Sequence, residues 1–462
     1  MKAWLLSLKS QAFILLLFAF LYASLLPAFV SARTSQRSEL PGQPCPLTFD
    51  VLEAERQFAI AAGKHQERFG RLLNSRGLRP SLDNASDLYL KNLRAALSGS
   101  FQKETAVLFY DEEEAVFRAW LIDREGVRAF HQGSLSRAQL ESAMAALRES
   151  LDVEDLAARR LPPRLRPQKS AALASSPSPH RVNPKALLSG RLSALASLLL
   201  PADIICQLKA VRHLIIVPIL DIGTVPFAAL RPFDSSASLI DSMSVTIAPS
   251  LFDIGRVEKT WSADFREPLF VGNPYLAPSA GWEPLHNAER EARFIGEMFK
   301  TPPLVGREAT REAILARAST ADLLYFATHG AADATHPLEG GFLVFSGPRG
   351  IESLWTTREI QQTPLRARLA VLSACQTGLG KAHDAGVIGL ARAFQLAGVP
   401  RVVMSLWSVY DDATAELMQA FARHLRQRHA PAEALRLAML EVRRTRPDPA
   451  EWASFVIFGT PQ

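Results

Sequence analysis

A histidine and a cysteine are the residues of this sequence best suited to covalent chemistry. His329 comes closely after the apolar run LLYFA, Cys375 directly follows LAVLSA, and 46 residues separate the two along the chain. A thiol with an ordinary pKa of about 8.5 is mostly protonated at neutral pH, but a neighbouring imidazole can take its proton and stabilise the thiolate. Such a pair could attack a carbonyl carbon and later protonate the leaving group.

Backbone N–H groups next to these residues could stabilise the negative charge that such an attack creates. The oxyanion needs hydrogen-bond donors, and the N–H groups of Gly330 and Cys375 are the natural candidates. Glycine at 330 also lets the chain approach a substrate without an intervening side chain. Taken singly, a histidine or a cysteine at a strand end is more often a structural residue. The two together, each at the end of an apolar run, favour a catalytic pair.

The elements that would position this pair are apolar strands separated by helices. Runs such as HLIIVP (213–218) are continuously apolar, which is typical of strands buried on both faces. Strands of this kind alternating with helices predict an α/β fold, a mostly parallel sheet flanked by helices on both faces. The other predicted strands are 105–110, 116–123, 243–250, 268–274, 322–330, 340–345, 367–375 and 401–407. The predicted helices are 52–73, 87–97, 136–151, 287–299, 386–398, 412–428 and 432–444.

The carboxyl ends of two predicted strands carry the two reactive side chains. In an open sheet of this type, ligands bind beyond the carboxyl ends of the strands. The strand at 322–330 runs out into His329, and the strand at 367–375 ends at Cys375. If these strands are neighbours, both side chains emerge at the same edge of the sheet.

Residues 1–32 are predicted to be a signal peptide. Lys2 and Lys9 precede an uncharged run over 13–30, and Val30-Ser31-Ala32 places small residues at the two positions that a signal peptidase reads. Because the run is nearly long enough to span a bilayer, an uncleaved anchor is the alternative. We therefore expect an exported protein, periplasmic or secreted, with a membrane-anchored protein as the other possibility.

The rest of the chain divides by composition into two parts. Residues 33–103 read as a short helical N-terminal region, and residues 104–460 as the α/β domain. Within that domain, residues 161–180 are rich in Pro and Ser and are predicted to be an exposed linker.

Composition and cysteine count exclude several functional classes. The net charge of +6 is scattered, without the interleaved basic and aromatic residues that track a nucleic acid, so we expect no nucleic-acid partner. The three cysteines contain no C-x-x-C pair, and neither a complete phosphate-binding loop nor an H-E-x-x-H motif is present. We expect no metal and no cofactor. Pairing of Cys45 with Cys206 would leave Cys375 as a free thiol.

Several motifs resemble one known family, the CHAT domain, a bacterial relative of caspases and separases. They are LYFATHG, VLSACQTG, GVIGLARAFQLAGVPRVVMSLWSVYDDAT and the closing WASFVIFG. The separation between histidine and cysteine is also close to the roughly 50 residues known for caspases. The resemblance covers about 104–460 and implies a caspase-type α/β fold with His329 and Cys375 as the catalytic dyad.

The resemblance implies a cysteine endopeptidase that hydrolyses peptide bonds. Its partner would be a protein or peptide substrate, and a regulatory protein could be a second one; contact with a membrane is expected only if the N-terminal segment stays uncleaved. The alternatives are a catalytically silent interaction module of the same fold and a thiol with a redox or thioester role. In SLWSVYDDAT, Asp411 could select a basic substrate side chain, whereas Asp412 is predicted to cap the following helix.

Overall fold

The computed structural model describes residues 45, 48–74, 86–100, 104–114, 116–151, 184–233, 237–255, 261–331, 340–350, 352–373, 381–383, 386–407 and 411–460. The chain divides into two compact units, Met1–Pro46 and Leu47–Gln462, and Cys45 is the one described residue of the first. The predicted signal segment at 1–32 and the predicted linker at 161–180 lie outside the described residues.

One large sheet dominates the second unit. Eleven of the described strands form it, in the order β3-β2-β1-β4-β5-β16-β15-β12-β8-β6-β7. A smaller sheet has the order β11-β10-β9, and β13 and β14 form a hairpin. The strands are β1 (Thr105–Glu113), β2 (Val116–Asp123), β3 (Gly126–Gly133), β4 (His213–Val217), β5 (Ser244–Ile247), β6 (Pro268–Pro274), β7 (Leu304–Gly306), β8 (Leu323–Ala327), β9 (Gly330–Ala331), β10 (Phe342–Ser346), β11 (Glu352–Thr356), β12 (Leu369–Leu372), β13 (Lys381–His383), β14 (Gly386–Ile388), β15 (Arg401–Ser405) and β16 (Phe455–Gly459).

Most neighbours in the large sheet run parallel, as predicted. The pairs β15–β12, β12–β8, β8–β6 and β6–β7 are parallel, and so are β1–β4, β4–β5 and β5–β16. The pair β15–β16 is antiparallel, and this reverses the strand direction in the middle of the sheet. The carboxyl ends of β8 and β12 therefore lie at one edge, and those of β1, β4 and β5 at the opposite edge.

Helices cover both faces of the sheet, which confirms the predicted fold class. On β1, Leu108 packs with one set of helices while Phe109, its neighbour, packs with another that includes Phe58. This alternation follows from the two-residue period of a strand. The helices are α1 (Val51–Asn74), α2 (Ser86–Ser100), α3 (Arg137–Ser150), α4 (Pro184–Leu199), α5 (Ala202–Leu208), α6 (Leu239–Ser242), α7 (Leu251–Gly255), α8 (His286–Met298), α9 (Arg311–Ala318), α10 (Thr357–Gln362), α11 (Leu390–Leu396), α12 (Asp411–Arg426), α13 (Pro431–Arg443) and α14 (Pro449–Trp452).

Local sequence signals explain many of these boundaries. Ser136 caps α3 in a capping box: its hydroxyl accepts the Gln139 N–H while the Gln139 side chain accepts the Ser136 N–H. Every residue of β4, β8 and β12 is buried, in agreement with their continuously apolar sequences. Short-range chemistry thus determines where these elements begin.

Two local predictions were wrong. The segment 386–398 was predicted to be one helix, but Gly386–Ile388 forms a strand and the helix begins at Leu390. The first strand was predicted to end at residue 110, yet β1 continues to Glu113 because β2 pairs with it from Val107 to Glu113. In both cases pairing with another strand overrides the local preference.

Two of the three cysteines are oxidised. Cys45 and Cys206 are both disulfide-bonded. Disulfides persist in oxidising compartments and are rare in the cytosol.

The described residues include no single helix with the length and apolar composition needed to cross a bilayer. The segments Leu187–Leu199 and Ala202–Leu208 pass such a test only as a pair bent by 96°. Their residues Leu195, Ile204 and Leu208 are fully buried in the protein core.

Two buried histidines make the stability of this fold sensitive to acid. Burial lowers the pKa of His213 to about 4, and burial, followed by the nearby Arg68, lowers the pKa of His65 to about 4. The unfolded chain, with an ordinary histidine pKa near 6.5, therefore binds protons more readily than the native state does. Stability is at its full value above about pH 6.5 and falls as the pH drops towards 4.

We predict that His65→Phe flattens this dependence. The free energy of unfolding, measured with urea between pH 7 and pH 4.5, should fall by roughly 2–3 kcal/mol less in the variant than in the wild type. Phenylalanine is chosen because His65 lies edge-on to Phe109 in an aromatic cluster. An unchanged pH slope would show that His65 does not contribute to the acid sensitivity.

Candidate active site

The backbone around His329 is fixed by the small sheet. His329 lies between β8 and β9, and its carbonyl accepts the Val344 N–H at 2.9 Å. The preceding residue, Thr328, donates its hydroxyl to the Val344 carbonyl at 2.5 Å. These two bonds hold the chain where β8 leaves the large sheet and enters the small one.

The imidazole of His329 is held by the segment that leads from β6 to α8. Its Nε2 lies 2.7 Å from the carbonyl oxygen of Glu283, and its ring lies 4.8 Å from the Trp282 ring between centroids, with an interplanar angle of 39°. The residue is 4% exposed. A neutral imidazole that donates Nε2–H to a carbonyl carries its lone pair on Nδ1. The ring is therefore oriented to accept a proton at Nδ1.

Trp282 and Glu283 were not identified from the sequence. Glu283 acts through its backbone carbonyl, which every residue type carries, so no side-chain pattern could have indicated it. No sequence motif marks Trp282, and its role depends on a long-range contact with the ring of His329.

Asn273 and Leu285 hold this segment in place. The Asn273 side chain accepts the Leu285 N–H at 2.9 Å and donates to a carboxylate oxygen of Glu289 at 3.2 Å. Asn273 has a φ of 42°, in the left-handed region where asparagine is enriched. These hydrogen bonds join the end of β6 to the first turn of α8. Trp282 and Glu283, which contact His329, lie in the segment between these two points.

The strand that precedes Cys375 is the direct neighbour of β8. In the parallel pair β8–β12, Leu372 lies opposite Phe326. His329 comes three residues after Phe326 in the sequence, and Cys375 comes three residues after Leu372. Ser373 is the last described residue before the cysteine; Cys375 itself lies outside the described residues.

Gly330 has a backbone N–H that points away from β10. His329 and Val344 form a hydrogen-bonded pair, so the next pair, Gly330 opposite Leu343, is a non-hydrogen-bonded one. In such a pair of an antiparallel ladder, the N–H groups point away from the partner strand. The N–H of Gly330 is thus directed away from the small sheet.

Asp412, at the start of α12, is placed differently from what was predicted. The helix begins at Asp411, so Asp412 lies within its first turn and not at the capping position. Its carboxylate accepts a hydrogen bond from Arg446 at 2.8 Å, and this bond lowers the pKa of Asp412 against the opposing effect of partial burial. The side chain of Asp411, the candidate for substrate selection, lies outside the described residues.

The part of the chain that the structure describes holds no group of three or more His, Cys, Asp or Glu side chains placed to bind a metal ion.

Comparison with known proteins places the matching region over these elements. A family model described as the CHAT domain matches residues 190–460. Tetratricopeptide repeat protein 28 of Homo sapiens is 28% identical over 296 residues, which cover 54% of this chain and 12% of that protein. The protein of the same name from Mus musculus is 27% identical over a stretch of the same length and coverage. The chain thus spans only a small part of the length of these curated relatives.

Solved structures with a similar course of the chain include those of two other proteins. A chain of the Saccharomyces cerevisiae separase–securin complex aligns with this chain with a TM-score of 0.49 and 14% sequence identity. The alignment covers 81% of this chain and 31% of the chain in that complex. The Arg-specific cysteine proteinase gingipain R aligns with this chain with a TM-score of 0.38 and 12% sequence identity. The alignment covers 70% of this chain and 75% of the gingipain chain.

We predict that Trp282→Phe costs much less stability than Trp282→Ala. The Trp282 side chain is 5% exposed, and its indole N–H has no hydrogen-bond partner among the described residues. Phenylalanine keeps a ring beside His329 and removes an unsatisfied buried donor, whereas alanine leaves a cavity and should cost about 3–5 kcal/mol. Chemical denaturation followed by circular dichroism measures both; equal losses would contradict this account of the packing.

Proposed function

Because this chain belongs to the CHAT domain family, we propose that it is a cysteine endopeptidase of the caspase-like type with His329 and Cys375 as its catalytic pair. The observation that carries the proposal is the register of β8 against β12. Phe326 lies opposite Leu372 in adjacent parallel strands, and the histidine and the cysteine each follow these residues by three positions. The two strands therefore end at the same edge of the sheet, and the same number of residues leads from each paired position to His329 and to Cys375.

The proposed reaction begins with a proton transfer from the Cys375 thiol to Nδ1 of His329. The resulting thiolate attacks the carbonyl carbon of the scissile peptide bond. The N–H groups of Gly330 and Cys375 would stabilise the oxyanion of the tetrahedral intermediate. His329 then gives its proton to the leaving amine, and water hydrolyses the thioester with His329 as the base.

The Glu283 carbonyl supports this cycle in two ways. By accepting Nε2–H at 2.7 Å, it selects the tautomer in which Nδ1 carries the lone pair that a base needs. When Nδ1 takes up the proton, the ring becomes cationic, and the hydrogen bond to the carbonyl oxygen becomes a stronger, charge-assisted one. A backbone carbonyl thus serves as the orienting group that a carboxylate provides in other triads.

The disulfide of Cys45 and Cys206 supports the proposed location outside the cytoplasm. Such a bond persists in an oxidising compartment, and residues 1–32 carry the pattern of a signal peptide. With these two cysteines paired, Cys375 is the remaining cysteine of the chain and is available as a nucleophile.

The substrate is proposed to be a protein or peptide, with Asp411 as the residue that selects a basic side chain. Asp411 begins α12 a few residues after the end of β15, which is the neighbour of β12 in the sheet. An acidic residue at this place would attract a lysine or arginine before the scissile bond.

A catalytically silent interaction module is the second candidate function. The names of the curated relatives favour it, because they mention tetratricopeptide repeats and mention no enzymatic activity. In such a module the histidine and the cysteine would be retained without cleavage, and the protein would act by binding a partner.

We predict that an electrophilic thiol probe labels the native protein at Cys375 and that Cys375→Ala abolishes the labelling. Cleavage of a peptide library should stop in Cys375→Ala, and it should fall at least about a thousandfold in His329→Ala. The release of new amino termini measures the cleavage, and mass spectrometry of peptides measures the labelling.

Thermal unfolding provides the control for both variants. Because His329 is buried and hydrogen-bonded to the Glu283 carbonyl, His329→Ala should lower the melting temperature, so cleavage is compared at a temperature at which the variant is folded. Cleavage by folded His329→Ala at the wild-type rate would show that His329 is not catalytic. Labelling at Cys375 without cleavage of any peptide would favour the silent module.

A further inference from the structure

A buried arginine begins β15, at the edge of the large sheet opposite to the one near His329. Arg401 is 5% exposed. Among the described residues it has no ion pair, and its buried Nε–H has no hydrogen-bond acceptor. Arginine is almost never fully buried without a partner, because removing its charge from water is costly. The position of this side chain therefore requires an explanation.

The guanidinium of Arg401 lies against an aromatic ring and near a second positive charge. Its Cζ is 5.5 Å from the centroid of the Trp261 ring, and the indole N–H of Trp261 donates to the His429 carbonyl at 3.2 Å. Burial, followed by the charge of Arg368, lowers the pKa of Arg401 to about 10, so the group is still charged at neutral pH. An aromatic face stabilises a cation less than burial destabilises it.

The second arginine, Arg368, is fixed by partners of its own. Its Nη1 donates to the Ser262 carbonyl at 2.7 Å, and its Nη2 lies 3.5 Å from a carboxylate oxygen of Asp322. Its Cζ is 4.9 Å from the Phe265 ring, whose centroid is 5.8 Å from that of Trp261. Two guanidinium groups and two rings thus form one contiguous group, here called the arginine–aromatic cluster: Trp261, Phe265, Arg368 and Arg401.

Further cations lie around the arginine–aromatic cluster. The Cζ of Arg426 is 5.4 Å from the Phe299 ring, and that ring lies 5.9 Å from Phe265. Arg428 pairs with the carboxylate of Asp264 at 3.1 Å, so this carboxylate is already engaged. Positive charges gathered in this way raise the local concentration of anions.

An oxyanion is the chemical partner that suits Arg401. The N–H groups of a guanidinium form a planar fork that matches the oxygens of a carboxylate or a phosphate. An anion bound there would compensate the buried charge, which neither Trp261 nor Arg368 can do. We propose that Arg401, together with Arg368 and Trp261, binds a carboxylate or phosphate group at the edge where β12 and β15 begin. This site is separate from the proposed catalytic pair.

The test follows the thermal unfolding of the full chain in millimolar potassium phosphate, potassium acetate and potassium chloride at equal ionic strength. A ligand that binds only the native state raises the melting temperature in a saturable way. Phosphate is also excluded from protein surfaces in general and stabilises many proteins without a site. The comparison between variants, rather than the rise itself, is therefore the measurement.

Arg401→Met should weaken phosphate binding at least about tenfold, the factor that corresponds to the loss of one hydrogen bond to a charged group. Methionine fills a similar volume without a charge, so the variant should be at least as stable as the wild type in chloride. Arg401→Lys keeps the charge but loses the planar fork. Its affinity should lie between those of the wild type and Arg401→Met.

Arg366→Gln is the matched control for net charge. Arg366 is exposed and lies two residues before Arg368, and its loss changes the net charge by the same amount as Arg401→Met. The control should keep the wild-type response to phosphate. The acetate series shows whether a carboxylate can replace phosphate at the same site.

The outcomes decide for or against the site without any measurement of peptide cleavage. A saturable rise in the wild type and in Arg366→Gln that is lost in Arg401→Met supports it. Equal rises in the wild type and Arg401→Met would indicate a general salt effect and overturn the proposal. A wild type with no saturable response to either phosphate or acetate would overturn it as well.

Discussion

The parallel pairing of β8 with β12 is the constraint on which the candidate site depends. It sets Phe326 opposite Leu372, and the chain then runs three residues further to His329 on one side and to Cys375 on the other. Both strands are buried along their whole length, so the register is specified by packing on both faces. A slip of one residue would move every buried side chain to the opposite face of the sheet.

The end of β6 and the helix α8 support this edge of the sheet. The segment between them supplies the Glu283 carbonyl and the Trp282 ring to His329, and Asn273 joins that segment to α8. Glu291, two residues after Glu289 on the same helix, contacts Tyr325. One helix is thus connected by hydrogen bonds to His329 through a loop, and through Tyr325 to β8, the strand that precedes His329.

The antiparallel strand β16 joins this half of the sheet to a second half of opposite direction. Beyond it, β5, β4 and β1 continue the sheet, and β2 and β3 complete it. The family model begins at residue 190, whereas β1, β2, β3 and α3 precede that position. These elements share the large core with the matched region, because β1 pairs directly with β4.

The sequence by itself determined most of the elements and the mostly parallel sheet, and it supplied His329 and Cys375 as the candidate catalytic residues. Continuous apolar runs, the cap at Ser136 and glycine after His329 are local signals, and they act through the backbone preferences of a few neighbouring residues. Only the tertiary structure decided the reversal at β16, the contacts of Trp282 and Glu283 with His329, the ion pair of Asp412 and the burial of Glu291. These depend on partners distant in the chain or on a backbone carbonyl, and neither leaves a periodic or compositional trace in the sequence.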